Sequence, residues 1–348
     1  MAISGSLTSK ARFLATIERK PVDYPACWLG LPVPSALPGL YRHFEIKSVD
    51  GIKNIIKDDV YPVEVPYNNP PANHVACAFD FAKGQASAHE RTLTSVGFFA
   101  GMSEPSEVNN FAWPVVSDHI TLESCRLAFK DVPKDKAIMG IMWSAHFQDA
   151  CAAFGMEEAM MTLLTEPDMF DAVINKIVDY YIEVNEIFYR AGQGIMDAVL
   201  IGNDFGSQQA LMLSPELLRK HVFPGTQRLI EQAHSFGYKV VHHSCGAISE
   251  VIQDLVNLGA DAIHPIQALA RGMDAASLKQ QFGNSASYCG GVDAQHLLVN
   301  GTAEEVRSKV LELKSIFPTG LIISPSHEAI LPDIDPKKIE VLFKAVRE

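Results

Sequence analysis

The stretch "YKVVHHSCGAISEVIQDLVNLGADAIHPIQ" at residues 238–267 decides the fold. It opens with the apolar run "YKVV", which ends in polar residues, and continues through the amphipathic "AISEVIQDLVNLG" into a second apolar run, "ADAIHPIQ". A buried strand, a helix and another buried strand in this order are typical of parallel strands joined by helical crossovers. The stretch therefore predicts an α/β fold built on a parallel sheet.

The same alternation extends through the second half of the chain. Further apolar runs with polar ends lie at residues 196–204, 285–293 and 320–327. Each is followed by a helical pattern, and Ser214 and Thr302 are placed as helix caps. Five strand–helix units in succession, with candidate strands at 22–30 and 136–146, predict a (β/α)8 TIM barrel with an N-terminal elaboration.

Length and composition agree with one large domain. We expect a single domain over residues 1–348, in which about 31–130 form insertions and extended segments at the barrel mouth. No GxGxxG or GxxxxGK[ST] motif is present, which argues against the common dinucleotide and P-loop sites.

Charge and hydropathy limit the classes of partner that the protein can have. The net charge of −12, without a long Lys/Arg run, argues against nucleic acid or an anionic membrane as partner. The sequence begins without an apolar signal segment and has no run of 18 apolar residues, so a cytoplasmic protein is expected. The six cysteines are scattered without a CxxC pair, as in a reduced enzyme. The oligomeric state stays open, with a homodimer as one alternative.

Polar residues follow the predicted strands, where a TIM barrel carries its chemistry. They are His146, Asp204, His243, Cys245, His264, Gln267, Cys289, Asp293, His327 and Glu328. Parallel strands end at the same rim of the barrel, so these side chains are candidates for a common site.

His243 and Cys245 are the strongest pair in this set. Residues two apart on a strand share a face, which places Ser244 and His242 on the opposite side. Zinc is held by three or four N, S or O ligands and keeps an open position in catalytic sites. A third ligand must come from another strand end: His327 is the first choice and Cys289 the alternative, while Asp204 or Glu328 would complete the site. A buried structural role for the cysteines and histidines remains the simpler alternative.

Five segments together resemble the uroporphyrinogen decarboxylase superfamily. They are "KARFLATIERKPVDYPACW" (10–28), "DAVLIGNDFGSQQALMLSPELLRKHVFPGTQRLIE" (197–231), "VVHHSCGAISEVIQDLVNLGADAIHPIQ" (240–267), "CGGVDAQHLL" (289–298) and "LIISPSHEAILPDIDPKKIE" (321–340). The resemblance implies a (β/α)8 barrel. The family contains heme-pathway decarboxylases and zinc-dependent corrinoid methyltransferases.

The two branches differ in residues that can be compared here. True decarboxylases carry an Arg-Gln-Ala-Gly-Arg stretch that binds substrate carboxylates, whereas this chain has "CWLGLPVPSALPGLYRHF" at 27–44. The "HSCG" segment resembles the methyltransferase branch, in which His-x-Cys binds zinc. Two departures keep the decarboxylase open: His327 stands where coenzyme M methyltransferases usually have a cysteine, and Asp59 occupies a setting similar to the decarboxylase aspartate.

The leading hypothesis is a zinc-dependent methyltransferase that moves a methyl group between a small methylated compound, such as a methyl ether, or a thiol and a corrinoid carried by a partner protein. An O-demethylase reaction is included. Asp204 and His146 would orient substrate or move protons, and the expected substrate-binding residues are Trp143, His264, Gln267 and Asp293. The alternatives are a metal-free decarboxylase that uses Asp59 and a non-catalytic corrinoid- or tetrapyrrole-binding protein.

Overall fold

The computed structural model describes residues 6–68, 79–81 and 94–348. The strands are β1 (Leu31–Pro32), β2 (Val60–Glu64), β3 (Ala137–Trp143), β4 (Ala198–Gly202), β5 (Lys239–His243), β6 (Ala262–Ile266), β7 (Tyr288–Val292), β8 (Leu321–Pro325) and β9 (Ala329–Ile330). Strands β2 to β8 form one parallel sheet in chain order, and β1 pairs with β9 in a small parallel sheet. The predicted α/β class and the alternation of strand and helix are confirmed.

A short extended segment closes the seven-stranded sheet. The backbone N–H of Trp28 donates to the Ile323 carbonyl at 3.1 Å, and the Ile323 N–H donates to Ala26 at 2.8 Å. On the other side, the Asp59 N–H donates to the Cys27 carbonyl at 3.0 Å. The segment 26–28 thus lies between β8 and β2 and forms the eighth element of the barrel wall, which accounts for the strand predicted at 22–30.

Helices follow the strands and cover the outside of the barrel. The α-helices are α1 (Ser9–Ile17), α2 (Leu37–Phe44), α3 (Val49–Ile56), α4 (Val116–His119), α5 (Leu122–Ala128), α6 (His146–Phe154), α7 (Met156–Thr165), α8 (Pro167–Gly192), α9 (Pro215–Leu217), α10 (Phe223–Ser235), α11 (Ile252–Asn257), α12 (Ala275–Phe282), α13 (Leu297–Asn300), α14 (Ala303–Ile316) and α15 (Pro336–Val346). A π-helical turn, Leu218–Val222, joins α9 to α10, and 3₁₀ turns cover Pro105–Asn110 and Ser249–Val251. The predicted caps are present, because the Ser214 and Thr302 side chains accept backbone N–H groups of Leu217 and Glu305.

Alternation along the strands separates two apolar layers. The side chains that fill the inside of the barrel include Met139, Leu200, Val241, Ala262 and Ile322. Those that pack outward into the core shared with the helices include Val199, Val240, Ile263 and Ile323. This two-sided burial explains why the strands are apolar runs without polar alternation.

The region 31–130 holds more than insertions. Strand β2 lies inside it and pairs along its whole length with β3, so part of this region is a barrel stave. The sequence analysis does not predict β2 as a strand because it contains Pro62, and proline is rare inside sheets. Residues 69–78 and 82–93 of the expected mouth elaboration lie outside the described residues. In the described part of the chain, no helix has the length and apolarity needed to cross a bilayer.

Candidate metal centre

Strand β5 ends at His243, and together with the residues that follow it places His243 and Cys245 on the inside of the barrel rim. The residue before His243, His242, faces outward and stacks on Phe205, with the ring centroids 5.7 Å apart. Neither ring nitrogen of His242 has a hydrogen-bond partner among the described residues, and burial lowers its pKa to about 3. His242 is thus a neutral packing residue, as the alternation predicts.

Asp204, which follows β4, joins the two β5 residues. Its Oδ1 lies 3.2 Å from His243 Nε2 and accepts the Cys245 N–H at 2.8 Å. Gln148 braces the same carboxylate, donating from Nε2 to Oδ2 at 3.3 Å. Burial opposes ionisation, but the contacts with His243 and the Cys245 N–H outweigh it and lower the Asp204 pKa to about 2. Asp204 is therefore ionised, and it offers a carboxylate oxygen as a metal ligand beside the His243 imidazole.

A glycine makes this approach of β4 to β5 possible. Gly202 pairs with His243 across the two strands and has φ +149°. A Cβ atom at this position would lie 2.0 Å from the His243 carbonyl oxygen. No side chain fits there, so Gly202 permits the backbone contact that brings Asp204 to His243.

The three side chains present different donor atoms to one point. Cys245 Sγ lies 3.6 Å from His243 Nε2. The ligating atoms of Asp204, His243 and Cys245 all lie within 4.8 Å of one another. A thiolate, an imidazole nitrogen and a carboxylate oxygen form a donor set that suits zinc.

The other side of the His243 ring faces His264 and Glu328. The two Nδ1 atoms of His243 and His264 are 2.9 Å apart, and Glu328 Oε2 lies 3.6 Å from His243 Nδ1. These three residues form a second group whose ligating atoms lie within 4.8 Å of one another. His264 is fully buried against Trp28, with the ring centroids 5.3 Å apart. Burial, with the positive charges of His243 and His327, holds its pKa well below the usual range, so His264 stays neutral.

The site favours a positive charge at its centre. Burial would lower the pKa of His243, but the charges of Glu328 and Cys245 and the hydrogen bond that His243 donates to Asp204 raise it well above its usual value. A proton on the His243 ring balances the negative charge of these neighbours, and a metal ion bound to the neutral imidazole would balance it as well. The cluster thus has both the donor atoms and the electrostatics of a cation site.

Two residues border the cluster at the mouth. Trp143 packs edge-on against the His243 ring at 5.2 Å between centroids. It ends β3 in the left-handed region with φ 55°, as does Ser144 with φ 54°, a strained pair that turns the chain at the rim. Gln267 accepts the Gly246 N–H through Oε1 at 2.6 Å and so fixes the turn after Cys245.

His327 lies at the rim beside Cys245 but outside both groups of ligating atoms. Its Nδ1 accepts the Ala329 N–H at 3.0 Å, which leaves the ring proton on Nε2. The contact with the Cys245 side chain is the main reason that the pKa of His327 is raised. With an exposed fraction of 43%, the ring faces the mouth.

Four of the predicted site residues lie elsewhere. His146 is buried under α10, where its Nε2 donates to the Val222 carbonyl at 3.2 Å. Cys289 is inside the barrel and contacts the Ser324 hydroxyl at 3.4 Å. Asp293 caps the turn after β7 through the N–H groups of residues 295–297.

Asp59 is the fourth, and it stands at the opposite end of the barrel. It directly precedes β2, whereas the candidate site follows the strand ends. Arg12 Nη1 donates to its Oδ1 at 2.6 Å, and the Cys27 N–H donates to its Oδ2 at 3.0 Å. Asp59 is thus committed to a buried ion pair at the face that stabilises a TIM barrel.

The sequence reasoning missed Gln148, which braces Asp204 from the start of α6. Its position two residues after the end of "WSAH" was the available signal, because the first residues after a barrel strand form the mouth. The signal was weak, since the turn at Trp143 and Ser144 cannot be read from residue types alone.

The fold and site define a parallel α/β barrel with a His/Cys/carboxylate cluster at the carboxyl ends of its strands. The family model described as uroporphyrinogen decarboxylase (URO-D) matches residues 71–348, and the chain belongs to this family.

A methyltransferase from Methanosarcina mazei has the same fold, with a TM-score of 0.69 and 17% identity over 98% of each chain. A B12-independent methionine synthase from Shewanella sp. W3-18-1 gives a TM-score of 0.42 and 11% identity over 65% of this chain and 64% of that one. A putative vitamin-B12 independent methionine synthase from Listeria monocytogenes gives 0.40 and 14% over 65% and 68%. No curated protein matches the sequence significantly.

Proposed function

We propose that the chain is a zinc-dependent methyltransferase. It would move a methyl group between a small methylated compound, for example a methyl ether, or a thiol and the corrinoid of a partner protein. The convergence of Asp204, His243 Nε2 and Cys245 at the barrel mouth carries the proposal. Membership in the family and the fold shared with a protein described as a methyltransferase support it.

His243 belongs to both groups of possible metal ligands, and solvent access favours the group that contains Asp204 and Cys245 as the metal site. The Asp204 side chain is 34% exposed and Cys245 is half-buried, while His264 is fully buried. A catalytic metal needs a position that substrate can reach. The thiolate also suits alkyl transfer, because soft sulfur donors favour zinc over harder cations. We therefore assign zinc to Asp204, His243 and Cys245, with a fourth position open towards the mouth.

Zinc in this place would supply Lewis acidity to a heteroatom of the substrate, or lower the pKa of a substrate thiol. The protein side chains would do the rest. Asp204 is held by Gln148, and Trp143 packs against the imidazole and excludes water from one side of the site. His327 carries its proton on Nε2 at the rim, where it would protonate the departing heteroatom. His327 takes the proton-transfer role in place of the remote His146.

The other functions receive less support. The segment at 27–44 lacks the arginines that would bind a porphyrinogen, and Asp59 is paired with Arg12 at the far end of the barrel. A non-catalytic tetrapyrrole-binding protein would have no use for a His/Cys/Asp cluster. The partner corrinoid protein would dock over the mouth, since a methyl group must pass directly between substrate and cobalt.

Metal analysis tests the proposal directly. Purified protein should contain about one zinc per chain, and Cys245→Ala should lose it. Cys289→Ala is the matched control, because that thiol is buried inside the barrel and should leave the zinc content unchanged. Wild-type protein that neither contains nor takes up zinc would overturn the mechanism.

Turnover distinguishes the candidate functions. Incubation with free cob(I)alamin and a set of methoxylated compounds should produce methylcobalamin, followed by its absorption spectrum, and Cys245→Ala should abolish the signal. Formation of a decarboxylated porphyrinogen would instead establish the alternative enzyme. A pigment that copurifies with the protein without any turnover would favour the binding protein.

A further inference from the structure

A cavity of about 360 Å³ opens at the amino-terminal end of the barrel, opposite the proposed metal centre. It lies between the start of α1, the segment from α5 to β3, and the turn between α8 and β4. In a TIM barrel this face carries stability and not catalysis. Nothing in the proposed methyl transfer uses this cavity.

Among the described residues that line the cavity, four are lysines, namely Lys10, Lys130, Lys134 and Lys136, and none carries a carboxylate. The chain as a whole has a net charge of −12, so a local concentration of ammonium groups stands out against the acidic surface. Lys10 is paired with Asp197 at 2.7 Å, which leaves three ammonium groups to account for.

Lys136 is buried, and no carboxylate of the described residues lies within ion-pairing distance of its ammonium group. Its exposed fraction is 7%, and its Nζ donates to the backbone carbonyl of Asp58 at 2.6 Å. The carboxylate of Asp58 is used by other donors, since it accepts from Lys53 Nζ and from the Leu29 N–H. A buried ammonium whose acceptor among the described residues is a carbonyl is a favourable place for an anion.

Lys130 and Lys134 stand at the rim of the cavity and are exposed. Within the described chain, neither has a carboxylate within ion-pairing distance. The carboxylates of Asp50 and Asp131 line a smaller adjoining cavity of about 150 Å³, which shares Pro133 and Lys136 with the first. The rim thus offers two ammonium groups to an incoming ligand, with the buried Lys136 behind them.

The floor of the cavity is apolar. Phe129 and Ile138 line it and are almost fully buried, and the Phe129 ring packs on Phe188 at 4.9 Å between centroids. Burial of an apolar ligand group against such a floor is favourable, in addition to any contact with the charges. A ligand that fits both parts has an anionic end and an apolar end.

We propose that this cavity binds a phosphate ester with an apolar or aromatic substituent. Lysine ammonium groups bind phosphate as point charges, and three of them suit a dianion better than a single carboxylate. The volume lies at the small end of the range for small-molecule sites, which favours a compact ligand over a polymer. The site is independent of the proposed zinc chemistry, because it lies at the other end of the strands.

Calorimetric titration of the full chain with phenyl phosphate tests this inference. Saturable binding with one site per chain is expected, and affinity should fall as salt rises. Inorganic phosphate should bind more weakly because it lacks the apolar group, and benzoate more weakly because it carries a single charge. Equal binding of all three would indicate general ion attraction and overturn the site.

Matched charge variants locate the binding. Lys130→Gln/Lys134→Gln should weaken phenyl phosphate binding by about tenfold or more. Lys337→Gln/Lys344→Gln removes the same charge from exposed positions of α15 that do not line the cavity, and should bind as the wild type does. Circular dichroism confirms that both variants fold. No binding to the wild type, or equal losses in the two variants, would refute the proposal.

Discussion

His243 has two ring nitrogens in different surroundings, and its tautomer decides what the site can bind. Nε2 faces Asp204 and Cys245, while Nδ1 faces the Nδ1 of His264 at 2.9 Å. A neutral imidazole binds a metal through one nitrogen and donates its proton from the other. We infer that His264, which burial keeps neutral, accepts the His243 Nδ1 proton and leaves the Nε2 lone pair for the metal. We therefore propose that His264 is a positioning residue and not a substrate ligand.

Substitution of His264 should weaken zinc binding without removing a ligand. His264→Phe abolishes the acceptor and is expected to lower zinc affinity by about 10- to 100-fold. His264→Asn retains an amide acceptor near the position of Nδ1 and should recover part of the loss. Chelator competition measures the affinities, and the cobalt–thiolate absorption of the Co²⁺ form should persist in both variants. An unchanged affinity in His264→Phe, with zinc bound normally by the wild type, would contradict this role alone.

At the scale of the element, the turn after each strand determines whether a histidine faces the proposed site or packs in the core. Strand β3 turns sharply after Trp143, and this turn sends His146 outward beneath α10. Its ring accepts a hydrogen bond from Asn203 at 3.1 Å and donates one to Val222. Burial outweighs these contacts and lowers the His146 pKa from 6.5 to about 4. A histidine at a strand end is thus a structural group when the turn reverses its direction.

The lowered pKa of His146 predicts acid sensitivity. The folded state prefers the neutral ring, so its stability contribution is present above pH 6.5 and is lost as pH falls from 6.5 towards 4. His146→Gln keeps a donor and an acceptor but does not titrate. Urea unfolding at pH 7 and pH 5 should show that the wild type loses about 2 kcal/mol more than the variant. Equal losses would show that the ring is not buried in the neutral form.

At the scale of the whole molecule, the barrel separates two buried charge systems. The carboxyl ends of the strands carry the proposed metal centre. The amino ends carry an ion-pair network in which Arg12 contacts Asp59 at 2.6 Å and Asp23 at 2.8 Å. Apolar side chains fill the barrel between them. Changes at one end should therefore have little effect at the other.

Arg12 and Asp59 provide the test of this separation. Arg12→Met leaves Asp59 buried without its partner and should lower the free energy of unfolding by about 3–5 kcal/mol. Asp59→Asn should cost less, because Arg12 keeps Asp23. Both variants should retain full zinc content by metal analysis and methyl transfer at temperatures where they are folded. Loss of activity in folded Asp59→Asn, with zinc intact, would return Asp59 to the catalytic role.

Local sequence pattern alone determined the barrel's second half and one pair of the proposed metal donors. Apolar runs with helical spacers predict parallel strands β4 to β8, and a spacing of two puts His243 and Cys245 on one face, because strand geometry repeats every two residues. Strand β2 escaped detection because Pro62 breaks the strand pattern, and pairing with β3 overrides that preference.

Only the tertiary structure indicates which residue would complete the proposed donor set. The position of His327 after the last predicted strand favours it on sequence grounds, but its Nδ1 accepts the Ala329 N–H and it lies outside both groups of ligating atoms. We propose Asp204 as the third ligand, because Gly202 lets two neighbouring strands approach closely. Such contacts depend on how separate strands and turns meet in space. A sequence determines the face of each strand locally, whereas the distance between residues 39 positions apart, such as Asp204 and His243, is set by the packing of the whole barrel.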